Sequence, residues 1–271
     1  MPAKWTEGYV SGPEGVKIYY TLLRKGLPWL VFLHGGTGSM SALFKLKNFF
    51  SNKGFSLLFV DLRAHGNSDR GDGPGFYRIE NFANDLDAVL GKLGIKSAVV
   101  IGHCFGGFVA QEFAARFPDR IQKLILLSSG DGGRRNRLLK AILEIFFRAI
   151  MLIPYNGRKG HGDYTMIINT FDISIRRFLM DVKYCGFETY SRVMLASLNF
   201  KSPLEGFGKP TLLVHGKHDI LIPAKRSVEL SGMLKNAKLV LLNTNHVIVL
   251  NDHENTNKAI FEFVNDGLKR R

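Results

Sequence analysis

Val99-Val100-Ile101-Gly102-His103-Cys104-Phe105-Gly106-Gly107 decides how the rest of the chain reads. Ala98 to Ile101 is a short apolar run of the kind that forms a buried strand, and Phe108 to Phe117 follows with helical periodicity. Between them stands G-x-C-x-G-G, the spacing of a nucleophile elbow with cysteine at its centre. A turn this tight strains the central residue and brings strand and helix close together, so its neighbours must be small. The sulfur of Cys104 then projects alone above the sheet. The N–H of Phe105, at the helix start, points at whatever the sulfur attacks.

Outward from the elbow, strands and helices alternate. Val16 to Leu23 reads as a strand after the turn Ser11-Gly12-Pro13-Glu14-Gly15. Trp29 to Leu33 is a second strand and runs into His34-Gly35-Gly36-Thr37-Gly38-Ser39, with a helix expected from about 42 to 52. The glycines let this loop curl near the elbow, so the N–H of Gly36 can join that of Phe105 in an oxyanion hole. Phe55 to Val60 ends in Asp61-Leu62-Arg63-Ala64-His65-Gly66-Asn67-Ser68-Asp69, a polar turn expected to support the site. Asp61 and Arg63 are expected to pair with each other or with neighbouring loops. A helix carrying Asp85, Leu86, Val89 and Leu90 precedes the elbow strand, and Ile121 to Ser128 follows the elbow helix as another strand. From about Gly130 to Gly208 the alternation stops and helical stretches take over. It resumes with strands at 211–215 and 238–242 and helices at 223–230 and 254–264. The middle is therefore an insertion into one α/β domain.

A thiol needs a base, and the base an orienting carboxylate. Asp219 stands just past the strand ending at His215, and His246 just past the last strand. In a parallel sheet such ends open onto one edge, where ligands bind. His34, His103 and His215 read as scaffold or oxyanion-loop residues, and His218 as the substitute base should His246 point elsewhere. No His/Asp grouping has metal-ligand spacing and no phosphate loop is present, so neither metal nor cofactor is expected. Cys185 lacks a motif and is expected to pack in the insertion.

Taken together, H-G-G-T-G at 34–38, D-L-R-A-H-G-N-S-D at 61–69, G-H-C-F-G-G at 102–107, H-G-K-H-D at 215–219 and N-H at 245–246 resemble the α/β-hydrolases that bear a cap. The chain is similar to proline iminopeptidases, carboxylesterases and carbon–carbon bond hydrolases. The resemblance implies an α/β fold with a mostly parallel central sheet flanked by helices. It implies a core of 1–130 and 209–271, with a helical cap, 131–208, inserted after the sixth core strand. It further implies Cys104 as nucleophile, Asp219 as acid, His246 as base, and Gly36 and Phe105 as oxyanion donors. Cysteine replaces the serine of most relatives, as in dienelactone hydrolases and polyester synthases. This points to a thioester acyl-enzyme, with hydrolysis expected. Acyl transfer to an alcohol or amine, and a ligand-binding protein with Cys104 as sensor thiol, stand as alternatives. Relatives with an aspartate nucleophile are disfavoured, because a thiol cannot form their ester intermediate.

The expected cap sets the substrate. Leu138 to Ile153 is its most apolar stretch, with Lys140, Glu144 and Arg148 in one polar stripe. It reads as a helix buried on two sides, packed on the core and lining a pocket. His34, Gly35, His103, Leu143, Phe147, Met151 and Phe178 are the expected substrate contacts, and an apolar acyl or aromatic small molecule the expected substrate. Arg134, Arg135, Arg137 and Lys140 make a basic cluster at its start, which also suits peripheral contact with an anionic membrane.

Composition narrows the classes. The 271 residues are 45% hydrophobic, an ordinary globular balance. The formal charge of +14 is spread along the chain without zinc-finger spacing or an RNA-binding motif, so no nucleic-acid partner is expected. Two cysteines are too few for a disulfide framework and suit a reducing, cytoplasmic setting. Residues 1–10 hold no apolar core of signal-peptide type, and no run reaches the roughly 18 apolar residues of a membrane span. A monomer or homodimer is expected.

Overall fold

The computed structural model describes residues 4–132, 137–167 and 169–266. Strands β1 (Trp5–Ser11), β2 (Lys17–Leu23), β3 (Gly26–Leu33), β4 (Phe55–Val60), β5 (Ala98–His103), β6 (Ile121–Leu127), β7 (Thr211–Gly216) and β8 (Ala237–Leu242) form one sheet. Its order is β1-β2-β4-β3-β5-β6-β7-β8. β2 pairs antiparallel with β1 and β4, and every other pairing is parallel. The helices are α1 (Phe44–Phe50), α2 (Gly73–Phe76), α3 (Ile79–Lys92), α4 (Phe105–Arg116), α5 (Arg137–Ile150), α6 (Ile175–Asn199), α7 (Lys225–Met233), α8 (Ile248–Asn251) and α9 (His253–Asn265).

The continuous apolar runs of β4 and β5 are buried along their whole length, as strands covered on both faces must be. On one face α3 and α4 bring Phe82, Phe105, Phe108 and Phe113 onto the sheet. On the other, α1, α8 and α9 cover Phe32 and Phe59, whose rings stack at 4.4 Å. After β3 the chain crosses to β4 on one side and later to β5 on the other. The reversal opens a crevice at the carboxyl ends of β3 and β5, where the glycine loop and the elbow both begin.

The sequence reading missed β1. It is an edge strand in which Val10 alone is fully buried, so it carries little apolar signal. Among the described residues between β6 and β7 there are helices and no strand. α6 is broken at Gly186, where φ is 78°.

α5 departs from expectation. Phe147 is buried, 6.3 Å from the Tyr190 ring of α6, and Lys140 meets Glu144 at 3.9 Å. The other apolar side, with Ile142, Ile145 and Phe146, faces solvent. The helix is buried on one side, because the core lies beneath the pair α5 and α6 and does not wrap around it. Arg134 and Arg135 lie outside the described residues. No helix among the described residues is long and apolar enough to cross a membrane.

The polar turn after β4 braces its neighbours. Asp61 accepts from the backbone N–H of Met40 and Asn67 and bonds His161 at 2.7 Å. Arg63, almost wholly buried, forms a bidentate pair with Asp85 at 2.7 and 2.8 Å. Asp61 and Arg63 thus pair with other elements and not with each other.

Candidate active site

Cys104 caps α4 with φ 51° and ψ −117°, a strained geometry for a residue with a side chain. It persists because the surroundings fix it. The Cys104 N–H donates to the Leu127 carbonyl at 2.9 Å, and the Cys104 carbonyl accepts from Gly107 at 2.9 Å. A methyl group on Gly106 would fall 2.4 Å from the His34 carbonyl oxygen, so only glycine lets α4 approach β3 this closely. The thiol is left half-buried at the sheet edge.

The glycine loop lies against it. A methyl on Gly35 would sit 3.5 Å from Cys104 Cβ, and one on Gly36 would sit 3.1 Å from Phe105 Cβ and 2.5 Å from Val193 of α6. Phe105, first in its helix, has no intrahelical acceptor for its N–H. The loop is held from below by His34, fully buried, whose Nε2 accepts from Leu62 N–H at 3.0 Å and whose Nδ1 donates to Gly35 O at 2.7 Å. Burial pushes its pKa down. His34 therefore spends both nitrogens on the backbone. Thr37 ties the loop to α6 by donating to Asp181 at 2.9 Å, and Asp181 also accepts from Tyr164 at 2.7 Å.

His246 and Asp219 converge from the ends of β8 and β7. His246 Nδ1 donates to Asp219 Oδ2 at 2.6 Å, and the imidazole also hydrogen-bonds the Cys104 side chain. His215 donates from Nε2 to the same Asp219 oxygen at 2.9 Å, while Oδ1 accepts the N–H groups of Leu221 and Ile222. Burial opposes the charge on Asp219, yet the bonds from His215 and His246 hold its pKa well below the usual carboxylate range. Burial likewise opposes charge on His246, but the Cys104 sulfur and the Asp219 carboxylate raise its pKa well above the usual histidine value. The ring lies between the Cys104 sulfur and the Asp219 carboxylate, and both favour its protonated form.

The sequence reading missed Asp172. Its Oδ1 accepts the backbone N–H of His246 at 2.7 Å and its Oδ2 that of Ile220 at 2.9 Å. One buried carboxylate thus joins the loops that carry Asp219 and His246. Asn245 fixes the same loop, donating to the Thr170 carbonyl at 2.7 Å. No motif surrounds Asp172, and both its partners are backbone groups far away in sequence.

Other expected residues have other surroundings. His103 donates from Nε2 to the His246 carbonyl at 3.3 Å, and burial, with His246 adding, lowers its pKa to about 3. It is a neutral spacer between the glycine loop and the base. His218 is exposed and bonds Asn243 at 3.0 Å, away from the site. Phe147 and Phe178 both pack on Tyr190, and Leu143 and Met151 are half-buried. Two cavities, of about 330 and 300 Å³, are lined by neither these four residues nor Cys104. Cys185 is buried in α6, which raises its thiol pKa. Among the described residues no group of three or more His, Cys, Asp or Glu is arranged to hold a metal ion.

Known proteins share this arrangement of elements. The alpha/beta hydrolase fold family matches residues 28–150. The crystal structure of the enol-lactonase from Burkholderia xenovorans LB400 superposes with a TM-score of 0.75 at 22% identity, over 95% of this chain and 99% of that one. The chain has the α/β-hydrolase fold. AB hydrolase superfamily protein YisY of Bacillus subtilis is 26% identical over 272 residues, covering 95% of this chain and 98% of that protein. The bifunctional esterase/perhydrolase DCH of Acinetobacter calcoaceticus is 27% identical over 289 residues, covering 95% and 99%. Protein ABHD8 of Bos taurus is 25% identical over 255 residues, 87% of this chain, which spans 55% of that protein. On this fold the crevice at β3 and β5 is the place where ligands meet the sheet.

Proposed function

We propose that the chain is an α/β-hydrolase enzyme that cleaves an ester, thioester or lactone with an apolar acyl part. The reaction runs through a thioester on Cys104. The observation that carries this reading is the continuous line Cys104, His246, Asp219 at the mouth of the crevice. The Cys104 sulfur attacks the substrate carbonyl carbon, and a C–S bond forms. The Phe105 and Gly36 N–H groups hold the oxyanion. The C–O or C–S bond to the leaving group breaks, and that group takes the His246 proton. His246, neutral again, removes a proton from water as the water attacks the thioester. The acid leaves, and sulfur and imidazolium are restored.

The esterase named among the relatives and the lactonase among the solved structures support carbonyl chemistry on this scaffold. Residues 131–208 act as the cap over the crevice, since Val193 lies against Gly36. Both cysteines are free, which suits a reducing, cytoplasmic setting. The test is turnover of p-nitrophenyl esters of increasing chain length by the wild type and Cys104→Ala. Steady turnover that peaks at a medium or long chain and vanishes in the variant is expected. Equal rates in the two proteins overturn the reading.

A further inference from the structure

The segment between β6 and β7 carries apolar side chains that the fold leaves uncovered. On α5, Ile142, Ile145 and Phe146 are 54%, 69% and 54% exposed. Their spacing of three and four places them on one face, opposite the buried Phe147. On the approach to α6, Phe171, Ile173 and Ile175 are 80%, 73% and 77% exposed. Folded chains rarely leave so much large apolar side chain in water unless a partner takes it.

Charge selects the partner. Arg137, Arg148 and Arg176 are exposed on the same two helices. The acidic residues nearby are engaged: Glu144 with Lys140, and Asp172 with the backbone of His246 and Ile220. The whole chain carries +14. A second copy of the chain would bring positive charge against positive charge. A bilayer of anionic phospholipid offers what both halves of the surface need. Its acyl boundary takes the apolar side chains, and its phosphates meet the arginines. We propose that this surface docks the protein peripherally on an anionic phospholipid bilayer. Docking needs no chemistry at Cys104.

The test is co-sedimentation of the full chain with phosphatidylcholine vesicles, with and without phosphatidylglycerol. Binding should be about tenfold tighter or more with the anionic lipid and should weaken as salt rises. The double variant Ile145→Ser/Phe146→Ser should bind about tenfold more weakly with its fold retained by circular dichroism, since more than half of each side chain stands in water. Arg148→Gln and Arg176→Gln should each cost about fivefold. No binding to anionic vesicles overturns the proposal, as does undiminished binding by the double variant. A dimer in sedimentation velocity that the same double variant splits also overturns it, because a second copy would then own the surface.

Discussion

Asp172 fixes two backbone N–H groups on two loops, and that geometry gives it a measurable part in the proposed chemistry. In Asp172→Ala the His246 backbone loses its acceptor, and the imidazole drifts from the line between Cys104 and Asp219. Misplacement on the scale of an ångström costs about 100-fold in rate. The expected result is a kcat lower by about 10- to 100-fold with KM little changed. Asp172→Asn, which keeps one acceptor oxygen, should recover part of the rate. A second expectation concerns the proton on His246. Folding raises its pKa above the ~6.5 of an unfolded histidine. Proton binding therefore stabilises the fold fully below about pH 6.5, and the gain is lost as pH climbs through the raised value. Nitrogen NMR should show His246 doubly protonated at neutral pH, and Cys104→Ala, which removes the sulfur beside the ring, should lower its titration midpoint. Cys104, Asp219 and His246 are legible in the sequence because each stands at a strand's carboxyl end in a recognisable run. Asp172 is not, because a side chain that serves backbone atoms leaves no spacing to read.

The elements meet most tightly where α6 closes on the glycine loop. Asp181, buried in α6, accepts from Thr37 of that loop and from Tyr164. Burial dominates over these bonds and raises its pKa from 3.8 to about 6. The folded state therefore holds this proton more strongly than the unfolded state does. Stability from this group is full below about pH 4 and is lost as pH rises through about 6. In Asp181→Asn the charge is gone, and one hydroxyl can go on donating to the amide oxygen while the other turns to accept from the amide NH2. Urea unfolding should find the variant more stable than the wild type by about 2 kcal/mol at pH 8, with the gap closing near pH 4. The parallel strands are legible as apolar runs: the bounds of β4 agree with the sequence reading, and those of the others differ by at most three residues at either end. The edge strand β1 was hidden by its exposure. The one-sided burial of α5 was also hidden, because an apolar stretch does not say which of its faces finds a partner.

Across the whole molecule, the reversal of strand order at β3 gathers loops distant in sequence at one edge of the sheet. The elbow after β5 and the glycine loop after β3 flank the crevice, and Asp219 after β7 and His246 after β8 open onto the same edge because those strands run parallel. From the helical segment between β6 and β7, Val193 lies against Gly36, Asp181 bonds Thr37 and Asp172 bonds the His246 backbone. The proposed reaction turns on one covalent step, the transfer of an acyl group to Cys104. The direct measurement is rapid acid quenching of the protein during turnover of a p-nitrophenyl ester, followed by intact mass and peptide mapping. The expected result is one acyl group per chain, on the peptide holding Cys104 and released by hydroxylamine, and no adduct in Cys104→Ala. Turnover with the acyl group on another residue, or undiminished turnover in Cys104→Ala, would contradict it.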